Sequence, residues 1–196
     1  MSGTSVPRAL WNEQYRSGRW DYLAGLGESV RYRYLADFAR RSAARDVLDV
    51  GCGSGVLREA LGGDGYAGRY VGVDWSHAAL PRGPLPAAHT FVCADVAGLP
   101  FSRACSFDLI VASEVLYYLE RSDPVVERLR GLLSPRGSLL VSCYQPPPDR
   151  SARWLQAVAR VERVVSAATG GEPPVRLTEP SNGRVWHVHR VRADRS

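Results

Sequence analysis

The sequence predicts an α/β domain: helices on both faces of a largely parallel sheet whose last strand runs antiparallel. Three observations carry this. Apolar runs tipped by an acid recur at residues 47–50, 70–74 and 91–95, as buried parallel strands do when they deliver polar groups to one sheet edge. The turn Gly51-Cys52-Gly53-Ser54-Gly55 follows the first run and feeds a helix starting near Val56. Near the C-terminus, Ser181-Asn182-Gly183 separates extended stretches at 174–178 and 185–191, a β-hairpin pattern that closes the sheet edge.

The 196 residues, 45% of them hydrophobic, suffice for one substantial core and one domain. No apolar run approaches a membrane span and no signal peptide is read at the N-terminus. Cys52, Cys93, Cys105 and Cys143 lack Cys-x-x-Cys spacing. Neither a zinc site nor a disulfide framework is expected, and reduced cysteines point to the cytoplasm. Net charge is +5, and all 25 basic residues are arginine. Without lysine there is no Schiff-base residue, no Walker A lysine and no Tyr-x-x-x-Lys pair. The arginines, among them Arg8, Arg16, Arg31, Arg58, Arg128 and Arg163, form no run. They read as a solvated surface, so no nucleic-acid partner is expected.

In chain order, Trp11-Asn-Glu-Gln-Tyr15 makes one helical turn, and Val30, Tyr34, Leu35, Phe38 and Ala39 recur at helical spacing. The early aromatics Trp11, Tyr15, Trp20 and Tyr22 either pack these helices onto the sheet or form a lid. A helix over about 54–62 ends at Gly62-Gly63. Residues 70–74 form a strand ending at Asp74, where a carboxylate can accept both hydroxyls of a ribose, and Trp75 can lie against a base. A proline-rich loop at 81–86 leads to the third strand.

Residues 107–112 are almost continuously apolar, as a central strand should be. They run into Ser113-Glu114-Val115-Leu116-Tyr117-Tyr118-Leu119, with a helix expected from Val115. Asp123-Pro124 starts another helix. Ser134-Pro135-Arg136-Gly137 stops it before a fifth strand at 138–143. Residues 145–149 form a stiff connector, and 152–168 are helical with Trp154, Leu155, Val158, Val161 and Val165 inward. His187 and His189 share a strand face, but no third ligand is evident and no metal is expected.

The glycine turn bears on the cofactor class. A dinucleotide fingerprint needs a third glycine at 56, where Val56 stands. Asp49-x-Gly51-x-Gly53-x-Gly55 instead resembles motif I of the class I S-adenosylmethionine-dependent methyltransferases. The resemblance covers residues 44–144 strongly and the termini weakly. It implies a Rossmann-like fold with a seven-stranded sheet and S-adenosylmethionine as cofactor. Asp49, Gly51, Cys52, Gly53, Gly55 and Ser113 are expected to bind the cofactor, the glycine loop against its methionine end, with Trp20 as lid and Arg31 on the carboxylate; a surface arginine is the alternative for Arg31. Asp74 and Trp75 are assigned to the ribose and adenine, and Asp95 with the Val96 N–H to the ring edge. One domain, 1–196, divides into an N-terminal helical lid (1–43), a cofactor-binding core (44–144) and a C-terminal helix and hairpin (145–196).

Ser113 to Leu119 and the closing Asn182-Gly183-Arg184-Val185-Trp186 resemble the nodulation-factor N-methyltransferases and related bacterial small-molecule enzymes. The Asn/Asp-Pro-Pro-Tyr tetrad of nucleic-acid amino-methyltransferases is absent, and the paired-glutamate loop of protein arginine methyltransferases lacks its second acid. Methyl transfer to a small molecule is expected, on the amine of an amino sugar or secondary metabolite. Glu114 and Tyr117 are the catalytic candidates; Tyr15, Glu114, Tyr117, Tyr118 and Tyr144 line the acceptor pocket. Glu114 either takes the acceptor's proton or caps the helix after it. O-methylation, a nicotinamide oxidoreductase and a catalytically silent binding module stay open. No membrane partner is expected, and the chain is read as monomer or homodimer.

Overall fold

The computed structural model describes residues 6–102 and 105–193. Seven strands form one sheet: β1 (Asp46–Val50), β2 (Arg69–Asp74), β3 (His89–Cys93), β4 (Phe107–Ser113), β5 (Leu133–Tyr144), β6 (Val175–Thr178) and β7 (Val185–Arg192). Their order is β3-β2-β1-β4-β5-β7-β6. The first five pair in parallel, and β7 runs antiparallel to both β5 and β6. The expected sheet and closing hairpin are both present. Successive crossovers run outward in opposite directions from β1 and β4, so a crevice opens at the carboxyl ends of those two strands.

Strand alternation sorts the core into two layers. Leu48, Val50, Ile110, Ala112, Leu139 and Val141 pack on α4 (Asp123–Arg130) and α5 (Ala152–Ala168), whose Val126, Leu129, Val161 and Val165 are buried. Val47, Leu109, Val111 and Leu140 face α2 (Ser29–Arg41) and α3 (Val56–Leu61) through Leu35, Ala39, Leu57 and Leu61. Burying both sheet faces is what makes the central strand sequences apolar throughout. Ahead of α2, α1 (Arg8–Arg16) is followed by 3-10 turns at Asp21–Ala24 and Leu26–Glu28. Residues 1–5 of the expected lid lie outside the described residues. Among the described residues, no helix is long and apolar enough to cross a membrane.

Several expectations are corrected. The third strand ends at Cys93, two residues before Asp95. Residues 134–137 do not merely stop a helix: they bulge within β5, where Phe107 pairs with Leu133 and Leu109 already pairs with Ser138. The helix expected from Val115 is only a 3-10 turn, Leu116–Tyr118. Two of the arginines read as solvated are in the interior: Arg31 is 1% exposed and Arg58 is 6% exposed. Arg58 donates to His89 Nδ1 at 3.0 Å and pairs with Glu59 and Asp64. A scattered charge pattern cannot reveal this, because burial depends on partners supplied from elsewhere in the chain.

Candidate active site

A cleft of about 740 Å³ opens over the carboxyl ends of β1, β2 and β4. Its floor is the glycine turn. Gly53 has φ +52°, and a Cβ there would fall 2.8 Å from the Tyr15 hydroxyl. Glycine therefore serves two ends: it permits the left-handed backbone and lets α1 lie close over the turn. The helix is tied down by Asn12, whose Oδ1 accepts from the Ser76 hydroxyl at 2.7 Å and from the Ala78 N–H at 3.2 Å.

Asp74 ends β2 and faces the cleft. The Gly53 N–H donates to its Oδ2 at 2.9 Å, and the Ser76 N–H to its Oδ1 at 2.7 Å. Burial raises its pKa; these two N–H groups oppose the rise. The carboxylate thus clamps the turn while keeping acceptor capacity toward the cleft.

The aromatic wall is continuous. Trp20 lies 5.5 Å from Trp11, 6.2 Å from Tyr15 and 6.1 Å from Tyr22, ring centre to ring centre. Tyr118 meets Trp11 edge-on at 4.9 Å and Trp154 at 5.7 Å. Arg8 covers one face of the Trp75 ring at 3.9 Å. Tyr144 lines the cleft beside Trp186, with ring centres 6.2 Å apart.

Glu114 stands at the end of β4 with φ +61°, an uncommon backbone for a side-chain-bearing residue. Its Oε1 accepts from the Ser142 hydroxyl at 2.8 Å; its Oε2 accepts from the Tyr117 hydroxyl at 2.7 Å and the Tyr144 N–H at 3.2 Å. The capping expectation is therefore wrong: the 3-10 turn after it has Val115 at its N-cap and no side-chain cap. Burial holds the Glu114 carboxyl above its ordinary range, against the pull of Arg31, Tyr117 and Ser142. Behind it, Ser113 Oγ lies 3.0 Å from Ser142 Oγ and accepts from Arg31. Arg31 also bonds Glu28 at 2.8 Å, and Glu28 takes Arg184 on its other oxygen. The guanidinium charge thus reaches Glu114 through two hydroxyls.

The structure brings most of the sequence-predicted residues together: Tyr15, Trp20, Arg31, Gly51, Cys52, Gly53, Asp74, Trp75, Val96, Ser113, Glu114, Tyr117, Tyr118 and Tyr144 all line the cleft. Three do not. Asp49 is buried behind the turn, accepting from the Tyr70 hydroxyl at 2.6 Å. Gly55 packs away from the cleft, its missing Cβ space taken by Phe91 and Pro81. Asp95 caps the short turn after β3 by accepting from the Ala97 N–H at 2.9 Å, leaving the wall to Ala94 and Val96. Sequence reasoning missed Glu28, Ser142, Trp154, Arg184 and Trp186, which come from five other elements or loops. The third partner not evident for the strand histidines is Glu162 of α5, 2.8 Å from His189 Nε2 and 3.4 Å from His187 Nδ1.

Three buried polar atoms of the cleft residues have no partner among the described residues: Trp20 Nε1, Trp75 Nε1 and Arg31 Nε. Such groups are costly unless a ligand satisfies them. Three donors, a glycine floor and an acid at the tip of β2 fit a nucleoside-bearing ligand with an anionic end.

Comparison with known proteins agrees. Residues 48–141 match a family model described as "Methyltransferase domain". A trans-aconitate 2-methyltransferase of Paracidovorax citrulli is 34% identical over 120 residues, covering 60% of this chain and 46% of that protein. A ubiquinone biosynthesis O-methyltransferase of Escherichia coli is 26% identical over 153 residues, covering 75% of this chain and 61% of that protein. The chain thus spans about half to under two thirds of these relatives' length. The N-methyltransferase NodS of Bradyrhizobium japonicum, solved with S-adenosyl-L-homocysteine, shares the fold: TM-score 0.60, 21% identity, 82% of this chain and 85% of that one.

Proposed function

We propose that this chain, which carries a class I S-adenosylmethionine-dependent methyltransferase domain, methylates a small-molecule acceptor in the cytoplasm, and that the acceptor atom is an amine nitrogen. The observation that carries the proposal is Glu114: an acid with a raised pKa at the carboxyl edge of β4, in one cleft with the glycine turn and Asp74.

The residues fit the cofactor. Asp74 keeps acceptor capacity for ribose hydroxyls, Trp75 offers an aromatic face and an indole N–H, and Arg31 Nε and Trp20 Nε1 are donors for the amino-acid end. When bound, S-adenosylmethionine supplies an activated sulfonium methyl, so the protein has to align and desolvate the nucleophile. Trp11, Tyr118 and Trp154 present apolar surface and exclude water from the acceptor. Glu114 has three hydrogen bonds and room for one more. A raised pKa makes it a better proton acceptor than an ordinary carboxylate, as an amine about to lose a proton requires. An O-methyl acceptor is the second reading, favoured by the name of the Escherichia coli relative.

Two measurements test this. S-adenosylhomocysteine should bind by calorimetry with one site per chain. Methyl transfer should then be seen with a panel of small primary and secondary amines and not with matched alcohols and phenols. Turnover confined to hydroxyl acceptors would move the assignment to oxygen; no cofactor binding would remove it altogether.

A further inference from the structure

We propose that the acceptor carries an anionic group, a carboxylate or a phosphate, remote from its nucleophile, and that Arg19 and Arg150 bind it at the mouth of the cleft. This rests on the methyl-transfer reading above and narrows it to a class of substrate.

The charges of the cleft lead there. Arg31 and Arg184 both pair with Glu28. Asp74 is held by two backbone N–H groups at the cofactor end. Glu114 is held by two hydroxyls and one N–H. Arg19 and Arg150 also line the cleft, and both are exposed. Among the described residues, neither has a carboxylate within ion-pair distance. The mouth therefore carries two cations that the protein does not neutralise, while the acids within are all engaged.

Their placement joins these charges to an apolar wall. Arg19 lies three residues beyond the end of α1, the helix that carries Trp11. Arg150 lies two residues ahead of α5, the helix that carries Trp154. Tyr118 touches both tryptophans, at 4.9 Å and 5.7 Å, and so links the two elements. Arg19 is near enough to Tyr118 for its charge to oppose the rise that burial causes in the hydroxyl's pKa. A ligand lying on the Tyr118 wall with its nucleophile toward Glu114 has its other end among the guanidinium groups. Two guanidiniums suit a planar or tetrahedral oxyanion and steer it by long-range attraction. A purely cationic amine meets repulsion at the same mouth, so the amine and the anion belong to one molecule.

The test uses three matched probes on protein saturated with S-adenosylhomocysteine: 4-aminobenzoate, 4-aminophenyl phosphate and the neutral 4-aminobenzamide. By calorimetry at low salt, at least one anion should bind about 10-fold tighter than the amide, a margin ordinary for charge-assisted recognition. The advantage should shrink with added salt and fall to within about threefold in the Arg19→Gln/Arg150→Gln double variant. Carboxylate and phosphate are told apart by which anion leads. Both arginines are exposed, so the double variant should melt like wild type, and its S-adenosylhomocysteine affinity serves as control. Equal binding of all three probes, no binding of either anion, or an advantage that survives in the double variant overturns the inference. Those outcomes with S-adenosylhomocysteine bound leave the methyl-transfer reading standing; failure of S-adenosylhomocysteine itself to bind removes both.

Discussion

Tyr117 donates its hydroxyl to Glu114 Oε2 at 2.7 Å across a tight 3-10 turn, so the two residues singled out for chemistry are bonded to each other. Tyr117 is only 6% exposed, and its ring is packed against Trp154 at 4.7 Å. Its place is to orient the acid, alongside Ser142 and the Tyr144 N–H. This changes what its removal should do. Tyr117→Phe should lower kcat more than it raises KM, by roughly 10- to 150-fold, the worth of one hydrogen bond to a charged group. The pH–rate profile should shift, since Glu114 loses a donor that favours its charged form. A change confined to KM with an unshifted profile would return Tyr117 to simple acceptor contact.

Glu114→Gln keeps the shape and removes both charge and base. Turnover should fall by about 10²–10⁴-fold, with S-adenosylhomocysteine affinity nearly unchanged. The folded-state pKa of Glu114 is raised, so its burial costs stability as pH climbs above the unfolded value. The variant should therefore melt no lower than wild type at pH 8. Near-normal kcat in the variant would leave the acid a structural role.

Gly53 and Tyr15 should be coupled. A Cβ at 53 meets the Tyr15 hydroxyl at 2.8 Å, on a backbone at φ +52°. Gly53→Ala should lower folding stability, read by denaturant unfolding, by roughly 1–2 kcal/mol from the left-handed backbone alone, with a further loss from displacing α1. In a double-mutant cycle, Tyr15→Phe should recover the second part but not the first. Strict additivity of the two substitutions would show that the contact does not matter.

Asp49 makes the apo protein's stability fall as pH rises. Burial, opposed by the Tyr70 hydrogen bond, pushes its pKa up to about 7. An acid raised in the folded state binds its proton there when the unfolded chain has already lost it, so stability declines between about pH 4 and pH 7. The full shift corresponds to at most about 4 kcal/mol. Asp49→Asn mimics the protonated acid and should raise the melting temperature at pH 8 with little effect at pH 4. Thermal melts of the two proteins across that range check it; parallel curves would mean that Asp49 titrates normally.

Much of this molecule was legible in its sequence because the information is local. Apolar runs tipped by acids mark β1 and β2, the almost continuously apolar run 107–112 marks β4, and Asn182-Gly183 marks the closing hairpin. Gly51-Cys52-Gly53 with Asp74 marks one wall of the cleft, since a strand, a turn and the next strand tip follow one another along the chain. What only the tertiary structure decided lies where groups distant in sequence meet. Arg31 looks like any helix-surface arginine until Glu28 and Ser113 enclose it. Glu114 looks like a helix cap until Ser142 and Tyr144, from the neighbouring strand, take its two oxygens. Asp95 and Asp49 have the right motif spacing, yet one is turned into a backbone cap and the other sealed behind Tyr70. For Arg31, Glu114 and Asp49 the physical reason is shared: the groups that meet a buried polar side chain come from other strands and helices, whereas Asp95 is taken by a backbone N–H only two residues on.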